Sequence, residues 1–468
     1  MRAHNSFTNS KIQSSKFKNV FKTKKEAGMK KVIVIMLALF LAVPAITYAG
    51  SATSRYDVTI GGFVKFDMGY ATKGTGADTN AAPRESYHRN QNQNDEYGNF
   101  FAASGATTLN LLVKGPDGWG AKTSAFIEAD FQGKWNGTAN YGVATLRHAW
   151  MRFDWGKSKL TIGQQWQAFG MVPTYGGVLM GDDDLAPFMK GNRQPQIVFN
   201  QDLNKNFAYM IGLMSPSAAM GTAGGASRVD GYTRSGIPFV EGELTYTTDS
   251  CGKIGPWQML FGIGGFFGTE KRSAVSQVAA VGVPQRFADE NVNSWAVILK
   301  GFIPIIPEKK GNKAGALSLS GAGFIGQNIS WLSGPGGASW STTSGNSYQR
   351  TGNVNTGWAA TPIVGTWGQM SYWFTNAVAI NGFYGYGSSS VSSAWRAQRN
   401  GTANNDIVNM QHCIVNLTYD VNPAVRLGVE WANIYTRYSG YQRLGATDQF
   451  YGSKGTVNMF RVGAYYFF

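Results

Sequence analysis

The side chains that do chemistry are sparse in this 468-residue chain and do not converge. Its four histidines (His4, His88, His148, His412) are scattered, and Cys251 and Cys413 have neither metal-ligand nor haem-attachment spacing. A nucleophilic triad or a metal centre needs several such groups brought to one place, and no motif does that here. The glycine clusters do not lead from a strand into a helix, so no phosphate-cradling loop is indicated. What the sequence does concentrate is fixed charge. Asp182-Asp183-Asp184 form an acidic run in a long loop, and Lys65, Glu128, Arg426 and Arg461 each fall on the polar side of an alternating segment. Carboxylates set against a basic wall make an electrostatic filter for dissolved ions. A solvated loop or a divalent-cation site are the plainer readings of the acidic run. No cofactor, metal or catalytic centre is expected.

The charge total needs correcting before it is used. The chain carries 42 Lys+Arg against 27 Asp+Glu, a formal +15. Residues 1–49 hold nine of the basic residues and only one acid, Glu26, so the remainder has 33 against 26, or +7. Lys30-Lys31 precede an apolar run, Val32 to Ile46, followed by the small residues of Thr47-Tyr48-Ala49. That is the layout of a cleaved export signal, with translation starting at Met1 or Met29. The run is short of the roughly 20 residues that span a bilayer, and no cysteine stands at the cut to carry a lipid. The expected organisation is a basic extension and signal peptide, 1–49, removed from one domain, 50–468. The remaining basic excess is interspersed with acid, so no nucleic-acid partner is expected.

Glycine makes up 60 residues and aromatics 63, while charged residues are only 15%. The aromatics exclude a disordered chain. The glycine disfavours long helices, since Gly in a helix interior costs roughly 1 kcal/mol relative to Ala. Instead the sequence alternates. Val58, Ile60, Val64, Phe66 and Met68 share a face against Lys65 and Asp67. Ala125, Ile127, Ala129 and Phe131 oppose Ser124, Glu128 and Asp130; Trp295, Val297 and Leu299 oppose Ser294 and Lys300; Val425, Leu427, Val429 and Trp431 oppose Arg426 and Glu430. Each predicts a strand with one apolar side. At the end of the chain, Phe460, Val462, Ala464, Tyr466 and Phe468 share a face, with Arg461 on the other. Arg461 on a lipid-facing wall would cost on the order of 2–4 kcal/mol, so it is expected to face inward.

Connections alternate in length. Short turns are expected at 116–118, 156–158, 202–205, 249–252, 304–313, 375–376 and 420–423, and longer stretches at 71–98, 132–141, 168–192, 215–236, 272–290, 328–357, 387–404 and 440–455. Seven turns and eight loops join sixteen strands, an even number with both ends on the periplasmic side. A secreted propeller also repeats at about 40–50 residues, but it needs neither strict short–long alternation nor a terminal phenylalanine. The expected fold is all-β: a transmembrane antiparallel barrel of about sixteen strands.

At this point the chain resembles the general bacterial porins. Leu109–Phe131 looks like that family's second hairpin, Leu146-Arg147-His148-Ala149-Trp150 like its fourth strand, and Leu160–Gln164 like its fifth. Most specific is the third loop, where the family has Pro-Glu-Phe-Gly-Gly followed by acids. Here it reads Pro173-Thr174-Tyr175-Gly176-Gly177, then Gly181-Asp182-Asp183-Asp184, so Thr174 replaces one acid. The resemblance implies a homotrimer in the outer membrane of a Gram-negative bacterium, inserted by the barrel-assembly machinery with its terminal strand as signal. It implies a third loop folded into the lumen as a constriction, and it places Arg147 and Arg193 where the family has facing arginines. An ion pair with a wall acid such as Glu128 is the structural alternative for both. Lys65, Arg426 and Arg461 are lumen candidates on alternation alone. His148 falls on the outward phase, which fits a subunit contact.

The function expected is passive diffusion of small hydrophilic solutes and ions, with anion or cation preference left open. The alternative is a barrel that sheathes or anchors a partner such as a cytochrome, whose haem would come with a separate chain. An outer-membrane hydrolase would need a Ser/His pair on one outward strand near the rim, and none is evident.

Overall fold

The computed structural model describes residues 56–73, 98–135, 138–167, 193–215, 235–273, 289–329, 348–350, 358–360, 362–390, 407–438, 442–443, 450–451 and 454–468. The expected leader, 1–49, lies outside them.

Sixteen wall strands follow one another in antiparallel hairpins. They are β1 (Asp57–Ala71), β2 (Asn99–Ala103 and Thr108–Lys114), β3 (Lys122–Trp135), β4 (Thr138–Asp154), β5 (Ser158–Trp166), β6 (Arg193–Asp202), β7 (Phe207–Met214) and β8 (Phe239–Ile254). Then come β9 (Trp257–Ser273), β10 (Asp289–Ile306), β11 (Leu317–Gln327), β12 (Pro362–Trp373), β13 (Val378–Ser389), β14 (Ile407–Asn422), β15 (Val425–Tyr438) and β16 (Lys454–Phe467). The two segments of β2 pair with successive stretches of β1 and count as one wall strand. The sheet closes on itself because β1 also pairs with β16, Phe63 opposite Phe467 through Ala71 opposite Met459. At the seam Gly62 and Phe468 exchange both backbone hydrogen bonds, each 3.1 Å. Closure leaves no free edge, which is what a strand structure needs in lipid. Two short hairpins, Tyr348–Arg350 with Trp358–Ala360 and Gln442–Arg443 with Phe450–Tyr451, stand apart from the wall.

The period of two sorts the side chains. Val64, Phe66, Leu299, Leu427, Val429, Phe460, Val462, Tyr466 and Phe468 are exposed, while the alternate positions are buried inside. Rows of exposed aliphatics on a closed barrel are the signature of a lipid-facing band about 25 Å tall. At the short-turn end Trp119, Phe153 and Trp155 stack in series, with centroid spacings of 5.0 and 6.1 Å. Trp119 takes φ 53° in its turn, and its carbonyl accepts the Trp155 indole N–H at 3.0 Å. This places an aromatic anchor where a girdle belongs. Val429, on the outer face a few residues above the β14–β15 turn, sits well inside the band. Val429→Arg is expected to destabilise the folded barrel in bilayers by about 2–4 kcal/mol. Urea-induced unfolding in liposomes checks it, and a neutral result would mean this face does not meet lipid.

Four expectations need correction. The stretch 132–141 is not a long loop: β3 and β4 extend until Trp135 pairs with Thr138. Asn136-Gly137 is the dipeptide that two-residue hairpins favour, and it outweighs the polar composition around it. Residues 249–252 are not the β8–β9 turn. They bulge from β8, with Thr248 opposite Met259 and Lys253 opposite Gln258, and the chain reverses after Ile254. The Thr248 hydroxyl holds the bulge by accepting the Ser250 N–H at 3.2 Å. The turn expected at 304–313 begins later, because β10 runs through Pro304 to Ile306. The register slips there, and a bulge is one of the few places a strand admits proline. The fourth correction concerns His148 and belongs with the site.

Candidate functional site

The interior of the barrel carries its charges in pairs. On β3, Glu128 and Asp130 lie two residues apart and so share the inner face. Arg147 on β4 meets both: Nε donates to Glu128 Oε1 at 2.8 Å and Nη1 to Asp130 Oδ2 at 2.7 Å. Arg147 gets there through a β-bulge, since Glu128 pairs with His148 and Ala129 with Leu146, leaving Arg147 as the extra residue. A bulge is a device that re-aims a side chain, and here it delivers a guanidinium between two carboxylates.

The same bulge overturns the expectation for His148. Leu146 is exposed before it and Met151 after it, so the phase of the strand shifts by one residue. His148 therefore lies opposite Glu128, edge-on to Phe126 at 6.0 Å and to Trp166 at 6.1 Å. It belongs to the inner cluster and does not make an outward subunit contact. Arg193, the first residue of β6, lays its guanidinium 4.6 Å from the centre of the Trp166 ring. Arg147 and Arg193 are thus linked through His148 and Trp166. Lower on the same wall Arg152 stacks on Trp150 at 4.3 Å and donates Nε to Thr161 at 3.0 Å.

The other lumen candidates are paired too. Lys65 sits 3.2 Å from Asp67 on its own strand and 5.1 Å from the centre of the Tyr465 ring. Arg461 meets Glu430 across β15–β16 at 3.2 Å. Near the short-turn end Arg426 grips Asp420 with Nε at 2.5 Å and Nη2 at 3.0 Å. A further pair, Lys300–Glu243 at 2.6 Å, spans three strands from β10 to β8. It crosses over Gly262 of β9, whose register partners are Lys300 and Thr245. A Cβ added at Gly262 would stand 3.0 Å from Lys300 Cε and 3.2 Å from its Cγ. Gly262→Leu is therefore expected to displace the lysine and destabilise the barrel by about 1–3 kcal/mol. The urea midpoint of the refolded protein checks this, with Gly382→Ala as control, since nothing lies within 4 Å of a Cβ there.

Alternation brought out Lys65, Arg426, Arg461 and Glu128, but not their partners as a set. Asp67, Asp130 and Glu430 share a face with them and could have been found by the same count. Lys300–Glu243 depends on a missing side chain in the intervening strand and carries no local signal. In the terminal strand Phe460, Val462, Tyr466 and Phe468 are exposed, with Ala464 half-buried. The expected constriction residues Pro173, Tyr175, Gly176, Gly177, Asp182, Asp183 and Asp184 lie outside the described residues. The strands that bracket them, β5 and β6, are adjacent and in register from Ser158–Gln201 to Trp166–Arg193.

Neither a family model nor a curated protein sequence matches the chain. Solved structures do. The outer membrane channel DcaP of Acinetobacter baumannii is similar with a TM-score of 0.62 at 17% identity, over 88% of this chain and 97% of that one. An anion-selective porin from Comamonas acidovorans gives a TM-score of 0.49 at 14% identity, over 88% of this chain and 100% of its own. At such identities the likeness speaks for fold. The chain is a closed sixteen-stranded antiparallel barrel of the outer-membrane porin type.

Proposed function

We propose that the protein is an outer-membrane channel for passive diffusion of small hydrophilic solutes and ions. The observation that carries this reading is the closed sixteen-stranded wall, apolar and exposed outside, with ionised pairs inside. A barrel of this strand number is wide enough to hold an aqueous lumen. Charged groups facing inward have a use only where water or a solute meets them. In this reading residues 1–49 are removed on export, the barrel-assembly machinery inserts the chain, and three copies associate in the lipid.

Charge selectivity then follows from the pairing. Lys65, Arg147, Lys300, Arg426 and Arg461 each have a carboxylate partner. Their fields largely cancel at a distance, so the described wall gives little preference for anions. The residual field is set by Asp182–Asp184 of the third loop, and the channel favours cations. Swelling of proteoliposomes in isotonic sugar tests the channel itself. Glucose should enter vesicles holding the refolded protein much faster than protein-free vesicles, and equal rates would sink the reading.

A further inference from the structure

The interior has a second character that diffusion of hydrophilic solutes does not use. In the half nearer the short turns, inward residues in direct register form a polar hoop: Ser318, Ser371, Asn381, Asn416, Glu430 and Arg461, one from each of β11 to β16. Asn381 Nδ2 donates to Asn416 Oδ1 at 2.8 Å, and Asn416 Nδ2 to Glu430 Oε2 at 3.1 Å. Two residues further along the same strands, about 7 Å higher, the inner face turns apolar. Phe239, Phe266, Phe324, Trp367, Phe383 and Ile414 belong to one connected cluster that runs around this side of the barrel. Their rings pair along the wall, Phe239 with Phe266 at 6.1 Å and Trp367 with Phe383 at 5.8 Å.

A lumen wall in a water-filled barrel is ordinarily polar, so a belt of this size needs an occupant. Within it the Trp367 indole N–H, 3% exposed, has no hydrogen-bond acceptor among the described residues. A buried indole N–H normally finds one. Apolar rings, a donor awaiting an acceptor and an adjoining hoop of amides, hydroxyls and charges together match one kind of molecule: an apolar or aromatic body bonded to a hydroxyl-rich head.

We infer that the belt and hoop form a subsite for amphipathic solutes, such as aryl glycosides, passing through the barrel. The aryl body lies on the Trp367–Phe383 wall, and the hydroxyls face Asn381, Asn416 and the Trp367 N–H. The inference rests on the channel reading, and one experiment separates the two. Swelling rates of proteoliposomes are compared in D-glucose and in phenyl β-D-glucoside, which shares the polar head and adds a ring. The expected result is that the larger glucoside enters wild-type vesicles at least as fast as glucose. Trp367→Ser with Phe383→Ser should slow the glucoside severalfold and leave glucose unchanged. A wild-type glucoside rate reduced in line with size, as a belt filled by the chain's own segments would give, overturns the inference while the channel stands. Exclusion of glucose itself overturns both. The wild-type ratio decides the matter even if the double variant does not fold.

Discussion

Arg147→Ala is expected to cost the folded barrel about 3–5 kcal/mol, the usual penalty for leaving one side of a buried ion pair without its partner. The guanidinium is 8% exposed and holds Glu128 and Asp130, whose side chains are 17% and 3% exposed. Removing it leaves two carboxylates two residues apart on one strand with their principal cation gone. The companion variant makes the test specific. Arg147→Met combined with Glu128→Gln and Asp130→Asn removes the whole charge set, and replacing a complete buried network is often close to neutral. The triple variant should therefore recover most of the stability lost by Arg147→Ala. Urea titration of the refolded protein, followed by tryptophan fluorescence, measures both. Equal losses for the two variants would mean that the cluster acts by packing alone.

The second large effect is on selectivity. With the wall cations paired, Asp182, Asp183 and Asp184 carry the uncompensated charge proposed to sort ions. Replacing all three with Asn should shift the reversal potential in a salt gradient from cation-preferring toward zero. Wall variants should move it in the opposite sense. Arg461→Gln frees Glu430, and Lys65→Gln frees Asp67, so each adds net negative charge to the interior. A reversal potential unmoved by the triple Asn variant would remove the acidic run from the constriction.

The wall was legible because its rule is local. A period of two with an apolar side, repeated sixteen times between turn-forming residues, needs no knowledge of distant contacts. Where a residue broke that period, the count failed. Arg147 is an extra residue in β4, and every position after it changes face, which is why His148 was placed outward. The bulges at 249–252 and Pro304 moved two turns for the same reason, and Asn136-Gly137 closed a hairpin that its polar neighbours disguised. A bulge is set by what the partner strand offers, and in a single segment it reads as ordinary sequence.

The site was legible in part. Charge and phase together identify Lys65, Glu128, Arg426 and Arg461 as inward groups, but pairing depends on which strand lies alongside and at what register. Lys300–Glu243 lies beyond that count altogether, because it crosses a strand through the space left by Gly262. The apolar belt escaped for a different cause. Alternation separates an apolar face from a polar one, and β12 to β14 place large apolar residues on both: Trp367 inside against Met370 outside, Phe383 inside against Tyr384 outside. Such segments read as buried strands of any protein. Only closure of the sheet tells which side meets the lumen.

The most direct test of a water-filled barrel is single-channel recording of the purified, refolded wild-type protein in a planar bilayer. Discrete, equal conductance steps in potassium chloride, with a reversal potential on the cation side, are the predicted result. A correctly folded barrel that inserts into the bilayer and passes no current would contradict the account.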